Sequence, residues 1–338
     1  MSETTDSGTP TAVDHAAPVR PSVGARLRRD LSFRNIGAVY VWIAIIIFFA
    51  VTQSETFPTT TTINTVLNNG AVTGLVALSL VIPLAAGVFD LSVGYIVGFA
   101  GVLVAWFLAN SGMSPWLAML LTLLAGMGIG VVNGLIVVVL RVNSLIATLG
   151  TGTIIYAMTK WVSDEQIITT RVPELSDIVA RGKIIGDITT PVVITLVVML
   201  IVGYVTEQTV TGRRWYATGF DTEVSRLVGI RVKRLQIVAF IISGGLAALA
   251  GIIMTARVTS ASPDAGPSYL LPAFAAAFLG ATQFRNGRFN AWGAIVAVLL
   301  LATGSQGLSL AGAPTWAPDI FQGVVLIAAM AITRAEQG

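Results

Sequence analysis

Between residues 91 and 140 the sequence reads LSVGYIVGFAGVLVAWFLANSGMSPWLAMLLTLLAGMGIGVVNGLIVVVL and contains no charged side chain. A helix crosses a hydrocarbon core about 30 Å thick with about 20 apolar residues. The stretch is therefore long enough for two crossings, and Ser111, Gly112 and Pro115 supply a break near its middle. It predicts a pair of transmembrane helices joined by a short turn.

The rest of the chain continues this pattern. Of its 338 residues 54% are hydrophobic and only 11% are charged, whereas an average soluble domain is about 25% charged. Further charge-free windows lie at residues 35–54, 56–89, 142–159, 188–206, 235–256, 265–284, 289–318 and 320–333. We therefore predict an all-α, polytopic transmembrane helical bundle of about ten transmembrane helices.

The basic residues predict the orientation of this bundle. If the N-terminus is cytoplasmic, the Lys and Arg residues lie on the cytoplasmic side except for Lys160, Arg171, Arg181, Lys183 and Arg257. This bias is the positive-inside pattern of membrane proteins. We expect cytoplasmic N- and C-termini, with a polar leader at 1–36, a transmembrane domain at 37–333 and a tail at 334–338. No secretory signal pattern is expected in the leader.

Several classes of function are excluded by residue content. The sequence has no cysteine, and its single histidine, His15, lies in the leader, so thiolate metal sites and histidine-based catalysis are not expected. No Gly-x-x-x-x-Gly-Lys-Ser/Thr loop for a nucleotide is present. The basic residues lie between apolar spans, which does not favour a nucleic-acid surface. We expect no cofactor, no metal and no enzymatic site in this chain.

An acidic residue interrupts the apolar sequence at residues 85–94, which read AAGVFDLSVG. An aspartate at membrane depth costs about 2.5–3.5 kcal/mol, so Asp90 needs a partner or a role. Asp90 or Ser92 can cap the helix that follows, and Gly87 permits a tight turn. Direct contact with a substrate or a coupling proton is the alternative.

A second informative stretch is the cytoplasmic loop at residues 211–231, TGRRWYATGFDTEVSRLVGIR. Asp221 or Thr222 can cap a short helix that runs to Leu227, and Gly229 can end it. The helix carries apolar side chains but has no core of its own to bury them. It predicts docking into a groove of another protein. The alternative is a helix on the lipid surface, which the acidic residue Glu223 disfavours.

These stretches resemble the permeases of bacterial ABC importers for sugars, the ribose, xylose, galactose and autoinducer-2 group. The family motif Gly-Gly-Ile-Asp-Leu-Ser-Val-Gly is matched at 87–94 with Val88 and Phe89 substituted, and the family segment Asn-Pro-Phe-Ile-Val-Thr-Leu-Gly-Thr resembles residues 143–151. The family loop Gly-Arg-x-x-Tyr-Ala-x-Gly is similar to the segment that starts at 212. This chain departs from the family at Ser144, where the family has proline, and at Phe220 and Asp221, where it has Gly and Asn.

The resemblance implies a permease subunit in the bacterial cytoplasmic membrane that carries a sugar or polyol. A separate ABC ATPase would use ATP and Mg²⁺, an extracytoplasmic solute-binding protein would deliver the solute, and a second permease copy, identical or paralogous, would complete the pathway. The loop at 207–234 would hold the coupling helix. The implied coupling residues are Asp221, Thr222, Glu223, Val224, Arg226, Leu227 and Gly229.

The pathway itself is predicted from the side chains that suit neutral polyols, which are amides, hydroxyls and aromatic rings. The candidates are Asn68, Asp90, Ser92, Asn143, Thr148, Phe278 and Gln306. Two other functions remain open. A permease for branched-chain amino acids would favour a buried arginine for the substrate carboxylate, and a stand-alone secondary transporter would use Asp90 as its ion site.

Overall fold

The computed structural model describes residues 33–185, 188–284 and 287–335, and these are almost entirely helical. The helices are α1 (Phe33–Thr52), α2 (Thr60–Ala85), α3 (Val93–Asn110), α4 (Pro115–Val138), α5 (Ser144–Ser163), α6 (Val172–Val179), α7 (Thr190–Gln208), α8 (Val210–Phe220), α9 (Thr222–Leu227), α10 (Val232–Val258), α11 (Leu270–Ala281), α12 (Ala291–Leu310) and α13 (Ala317–Ala335). A 3₁₀ turn (Gly266–Tyr269) precedes α11, and strands β1 (Lys183–Ile185) and β2 (Ile188–Thr189) pair antiparallel. Most of the predicted leader and tail lies outside the described residues.

Six helices in the described part of the chain are long and apolar enough to cross a membrane, namely α2, α3, α4, α7, α10 and α12. They confirm the predicted all-α membrane protein. Shorter apolar stretches coincide with three further predicted windows, at Gly37–Thr52, Gly266–Ala281 and Ala317–Ala329. The remaining window is occupied by α5, whose 20 residues include several Thr and Gly and also Lys160.

The long helix α10 lies at the centre and packs against α2, α3 and α4. Its contact with α4 depends on glycine. A Cβ atom on Gly130 would lie 2.2 Å from the carbonyl oxygen of Phe240, and one on Gly244 would lie 2.2 Å from the carbonyl oxygen of Gly126. Small residues let helix backbones approach this closely in lipid. The bundle is therefore tightly packed where α4 crosses α10.

Two segments that connect helices lie next to the first turns of α3. One joins α2 to α3 at residues 86–92, and the other joins α10 to α11 and includes the 3₁₀ turn. A Cβ atom on Gly266 would lie 2.4 Å from both the carbonyl oxygen of Gly94 and the nitrogen of Gly98. The 3₁₀ turn therefore packs on the first turns of α3, and α11 begins in the interior.

This arrangement differs from the full crossing predicted at residues 265–284. With 12 residues, α11 is about 18 Å long at a rise of 1.5 Å per residue, which is too short to cross alone. The prediction rested on apolar composition, and a helix that starts inside the bundle is as apolar as one that crosses it.

Three elements were not predicted. Helix α6 and the β1–β2 pair lie in the connection between α5 and α7, and α8 occupies the first half of the predicted loop at 211–231. The Thr209 hydroxyl caps α8 by accepting a hydrogen bond from the nitrogen of Gly212 at 3.1 Å. We call the end of the bundle that carries α8 and α9 the α9 end, and the other end of the bundle the opposite end.

Candidate functional site

The segment between α2 and α3 places Asp90 in a fully buried position. Helix α2 ends at Ala85, and Gly87 turns the chain with a φ of +76°. One carboxylate oxygen of Asp90 accepts hydrogen bonds from the nitrogen of Ser92 at 3.1 Å and from its hydroxyl at 2.6 Å. The other accepts from the hydroxyl of Ser243 on α10 at 2.8 Å. Asp90 thus fixes the turn that leads into α3 and ties it to α10, whereas the Ser92 side chain, the other predicted cap, makes no capping hydrogen bond to α3.

The network extends from Ser92 to α4 and α5. The Asn133 side-chain nitrogen donates to the Ser92 hydroxyl at 2.8 Å, and the Thr151 hydroxyl donates to the Asn133 side-chain oxygen at 2.7 Å. Four helices therefore share one buried chain of polar groups. Asn133, Thr151 and Ser243 were not predicted, although each is a polar side chain within an apolar helix, which is the signal that could have indicated them.

The two sequence segments that resemble the sugar permeases lie side by side. The nitrogen of Leu91 donates to the hydroxyl of Thr148 at 2.9 Å, and the nitrogen of Phe89 donates to the hydroxyl of Ser144 at 3.2 Å. Ser144 stands where the family has proline, which has no side-chain acceptor. In this chain the Ser144 hydroxyl accepts a hydrogen bond from the nitrogen of Phe89, directly before Asp90. We call residues 86–92, between α2 and α3, the Asp90 segment.

An aromatic cluster lies beside the Asp90 segment. The ring of Phe278 on α11 stacks on Phe89 at 6.4 Å and on Phe274 at 6.2 Å, and it meets Phe289 edge-on at 5.3 Å. Phe278 itself is buried. The hydroxyl of Tyr216 on α8 donates to the carbonyl oxygen of Phe289 at 2.6 Å. The cluster therefore connects α8 to the interior of the bundle.

Helix α9 forms an exposed surface at one end of the bundle. Asp221 caps it by accepting from the nitrogen of Val224 at 2.9 Å, and Gly229, with a φ of +84°, ends the turn that follows. Apolar side chains are exposed along it, with Leu227 at 82% and Phe220, just before it, at 95%. The same surface carries Val224 and Val228, the ion pair between Glu223 and Arg226 at 2.6 Å, and Thr222 at the first position.

Helix α8 holds this surface against the bundle. Trp215 is buried, and its indole nitrogen donates to the carbonyl oxygen of Leu235 at 3.0 Å. A Cβ atom on Gly219 would lie 2.3 Å from the carbonyl oxygen of Ala85, and one on Gly87 would lie 3.0 Å from the Cα of Gly219. The last turn of α8 therefore lies directly on the end of α2 and the start of the Asp90 segment.

A cavity of about 290 Å³ opens near the opposite end between α2, α11, α12 and α13. Its lining combines apolar side chains with polar ones, which include Asn69, Thr73, Ser305, Gln306, Gln322 and Asp319, together with the ring of Tyr269. Gln306, a predicted pathway residue, lies here.

The predicted pathway residues do not form one site. Asp90, Ser92 and Thr148 lie in the buried network, and Phe278 lies in the aromatic cluster. Asn68 lies toward the opposite end, where its side-chain oxygen accepts from the hydroxyl of Thr189 at 2.5 Å. Asn143 is exposed and caps α5 by accepting from the nitrogen of Leu145 at 2.9 Å.

Comparison with known proteins gives one family and several relatives. Residues 62–330 match the family described as branched-chain amino acid transport system / permease component. The chain is 33% identical to the ribose import permease protein RbsC of Bacillus subtilis over 269 residues, 79% of this chain and 83% of that protein. It is 31% identical to the D-allose transport system permease protein AlsC of Escherichia coli over 305 residues, 90% of this chain and 93% of that protein.

A third relative is the L-arabinose transport system permease protein AraH of Escherichia coli, 29% identical over 267 residues, which are 79% of this chain and 80% of that protein. No solved structure matches the chain significantly.

Proposed function

This chain belongs to the transport permease family that its sequence matches, and we propose that it is the translocation subunit of an ABC importer for a sugar. The names of its relatives include the sugars ribose, allose and arabinose. Their identity over most of both chains is the observation that carries the proposal. The chain is a multi-pass protein of the bacterial cytoplasmic membrane.

A branched-chain amino acid is the second candidate substrate, because the family description names it. Arg257 on α10 bears on this choice. It is half-buried, and its guanidinium donates to the side-chain oxygen of Asn69 at 3.0 Å beside the cavity near the opposite end. An arginine in this place could meet a substrate carboxylate. The amides and hydroxyls around it suit the hydroxyl groups of a sugar instead, and the named relatives agree with the sugar.

We assign the energy source to a separate ATPase subunit that binds ATP and Mg²⁺. The α9 surface supports this assignment, because Leu227 and Val228 expose apolar side chains next to the charged pair Glu223 and Arg226. Such a combination suits docking into a protein groove. The helix and its ends are formed by Asp221, Thr222, Val224 and Gly229. A displacement of α9 would reach the Asp90 segment through α8, which contacts both.

With this partner, the α9 end faces the cytoplasm and the opposite end faces outward. A solute-binding protein would deliver the sugar at the opposite end, and a second permease copy would stand beside the first. About ten apolar helical segments, α11 included, then lie within the bilayer, and both termini are cytoplasmic. Asp90, Ser92 and Thr148 position helices in this proposal, whereas Gln306 and Asn68 lie toward the entrance.

A stand-alone secondary transporter would place a coupling ion at Asp90. The carboxylate oxygens of Asp90 already accept three hydrogen bonds from Ser92 and Ser243. This satisfied arrangement favours a positioning role.

The substrate is tested by reconstituting the complete complex with its ATPase and binding protein in proteoliposomes. We expect ATP-driven accumulation of at least one of ribose, allose and arabinose, with no competition from leucine. Accumulation of leucine with none of these sugars would support the amino-acid alternative and contradict the proposal.

A further inference from the structure

A charged aromatic cluster lies on the surface of α5 and is not part of the sites above. The Lys160 ammonium lies 3.7 Å from a carboxylate oxygen of Asp264 and 4.9 Å from the centre of the Tyr156 ring. The Tyr156 hydroxyl donates a hydrogen bond to the same carboxylate. Tyr95 of α3 meets the Tyr156 ring edge-on at 6.1 Å. One acid, one base and an aromatic face thus converge.

The cluster lies away from the helix ends, on the side of Ser163 and Asn110 that faces the α9 end. Tyr156 is seven residues before Ser163, the last residue of α5, or about 10 Å along the helix. The carbonyl oxygen of Pro263, next to Asp264, lies 3.8 Å from where a Cβ of Gly98 would be. Gly98 is twelve residues before the end of α3, or about 18 Å. The segment after α10 therefore brings Asp264 down to bilayer depth.

The charged side chains of Asp264 and Lys160 are nevertheless exposed on the surface of the chain. The side chain of Asp264 is 65% exposed and that of Lys160 is 36% exposed. A charge that faces hydrocarbon is strongly unfavourable, and such residues in membrane proteins face a water-filled space or the bundle interior. A long lysine can reach toward the interface, but the short Asp264 side chain cannot. Water is therefore the favourable surrounding for the exposed Asp264 carboxylate on this flank of α5.

The other flank of α5 has the opposite character. Ile154, Met158 and Trp161 are exposed there, Ile154 at 61% and Trp161 at 80%, and none carries a charge. At 100° per residue, Thr153 shares the flank of Tyr156 and Lys160, whereas Ile154 lies on the flank of Met158 and Trp161. Helix α5 thus carries a charged flank and an apolar flank.

Resting on the proposed function, we propose that Tyr156, Lys160 and Asp264 line the aqueous translocation pathway and form a subsite for a neutral polyhydroxy solute. The carboxylate accepts hydrogen bonds from sugar hydroxyls, the ammonium donates to sugar oxygens, and the Tyr156 ring offers an apolar face to the C–H side of the sugar. Because the acid and the base are paired, the subsite has no net charge and suits a neutral solute.

The test uses single cysteines, which the cysteine-free sequence allows without a background signal. Thr153→Cys and Asp264→Cys report on the flank of α5 that carries Tyr156 and Lys160. Ile154→Cys is the matched control on the other flank of the same helix. The complete complex in proteoliposomes is treated with a membrane-impermeant, water-soluble thiosulfonate. A thiol reacts as the thiolate, which needs water around it.

We expect Thr153→Cys and Asp264→Cys to react about tenfold or more faster than Ile154→Cys. We also expect ribose, allose or arabinose, delivered by the binding protein during ATP turnover, to slow the labelling of Thr153→Cys, which leaves the three subsite residues intact, and not that of Ile154→Cys. Equal labelling rates on both flanks would contradict the proposal that the flank with Tyr156 and Lys160 faces water. Labelling of Thr153→Cys that no transported sugar slows would overturn the subsite. Failure of sugar uptake by the complex without any substitution would contradict the proposed function and leave the contrast between the flanks readable.

Discussion

Asp90 shows how one residue can connect several helices. Its carboxylate accepts from Ser92 at the start of α3 and from Ser243 on α10, and Ser92 in turn accepts from Asn133. A buried carboxylate is tolerated only when its hydrogen bonds are satisfied. The network therefore fixes where the Asp90 segment lies relative to α4, α5 and α10.

Replacing Asp90 by alanine is expected to destabilise the protein. The hydroxyls of Ser92 and Ser243 would lose their acceptor, at about 1–3 kcal/mol for each buried group left unpaired. We expect a clear fall in the thermal unfolding midpoint in detergent. Ser79→Ala is the control, because the buried Ser79 hydroxyl donates only to Val76 of its own helix. Equal midpoints for Asp90→Ala and Ser79→Ala would show that the network contributes little.

The sequence indicated Asp90 but not its partners. A charged residue in an apolar region is visible in the sequence, and so is the local capping pattern with Ser92. Ser243 is distant in the sequence, and only the packing of α10 on α3 brings it to Asp90. Pairing between distant helices is decided by tertiary contacts, which local patterns do not contain.

At the scale of elements, the contact between α4 and α10 is decided by backbone distance. A Cβ atom on Gly130 would meet the backbone of Phe240 and Ile241, whereas one on Gly128 would meet nothing within 4 Å. These two glycines lie on the same helix, so they separate the effect of packing from the effect of helix propensity.

Gly130→Ala is therefore expected to lower the thermal unfolding midpoint strongly, because backbone atoms cannot move aside for a methyl group. Gly128→Ala is expected to be neutral or stabilising by up to about 1 kcal/mol, since alanine favours a helix over glycine. Both are measured by thermal unfolding in detergent. If the two variants unfold at the same temperature, the close α4–α10 contact is not present.

Helix α9 is the element that the sequence predicted best. Its cap at Asp221, its last residue Leu227 and the turn at Gly229 all depend on neighbouring residues, so local patterns suffice. The same patterns missed α8, whose helix is stabilised by burial of Trp215 against α10. They also missed the interior start of α11, which depends on Gly266 packing on α3.

Changing Glu223 and Arg226 together, as Glu223→Lys with Arg226→Glu, tests the docking role of α9. The pair is 69% exposed on both sides, so reversal should change the unfolding midpoint little. We expect the variant to lose copurification with the ATPase and sugar-stimulated ATP hydrolysis. The control reverses the exposed pair Asp177 and Arg181 near the opposite end, which should leave both intact. Unchanged coupling in the α9 variant would exclude this docking surface.

At the scale of the whole molecule, the parts form one continuous path. The last turn of α8 lies on Ala85 and Gly87, the Asp90 segment follows directly, and Phe89 stacks on Phe278 of α11. A displacement of α9 would therefore reach both interior segments through packed backbone and aromatic rings. Composition alone predicted the membrane bundle, because few charges leave lipid as the only solvent. The path itself arises from contacts between elements far apart in the sequence.

The central claim is that this bundle moves solute with work supplied by a partner at the α9 end. The direct measurement is accumulation of labelled ribose, allose or arabinose in proteoliposomes, with the chain alone or with its ATPase and binding protein. We expect accumulation against a gradient only in the complete complex, with ATP and Mg²⁺ on the side of the membrane that carries the ATPase. Accumulation by the chain alone, driven by a proton or sodium gradient, would show that no partner supplies the work.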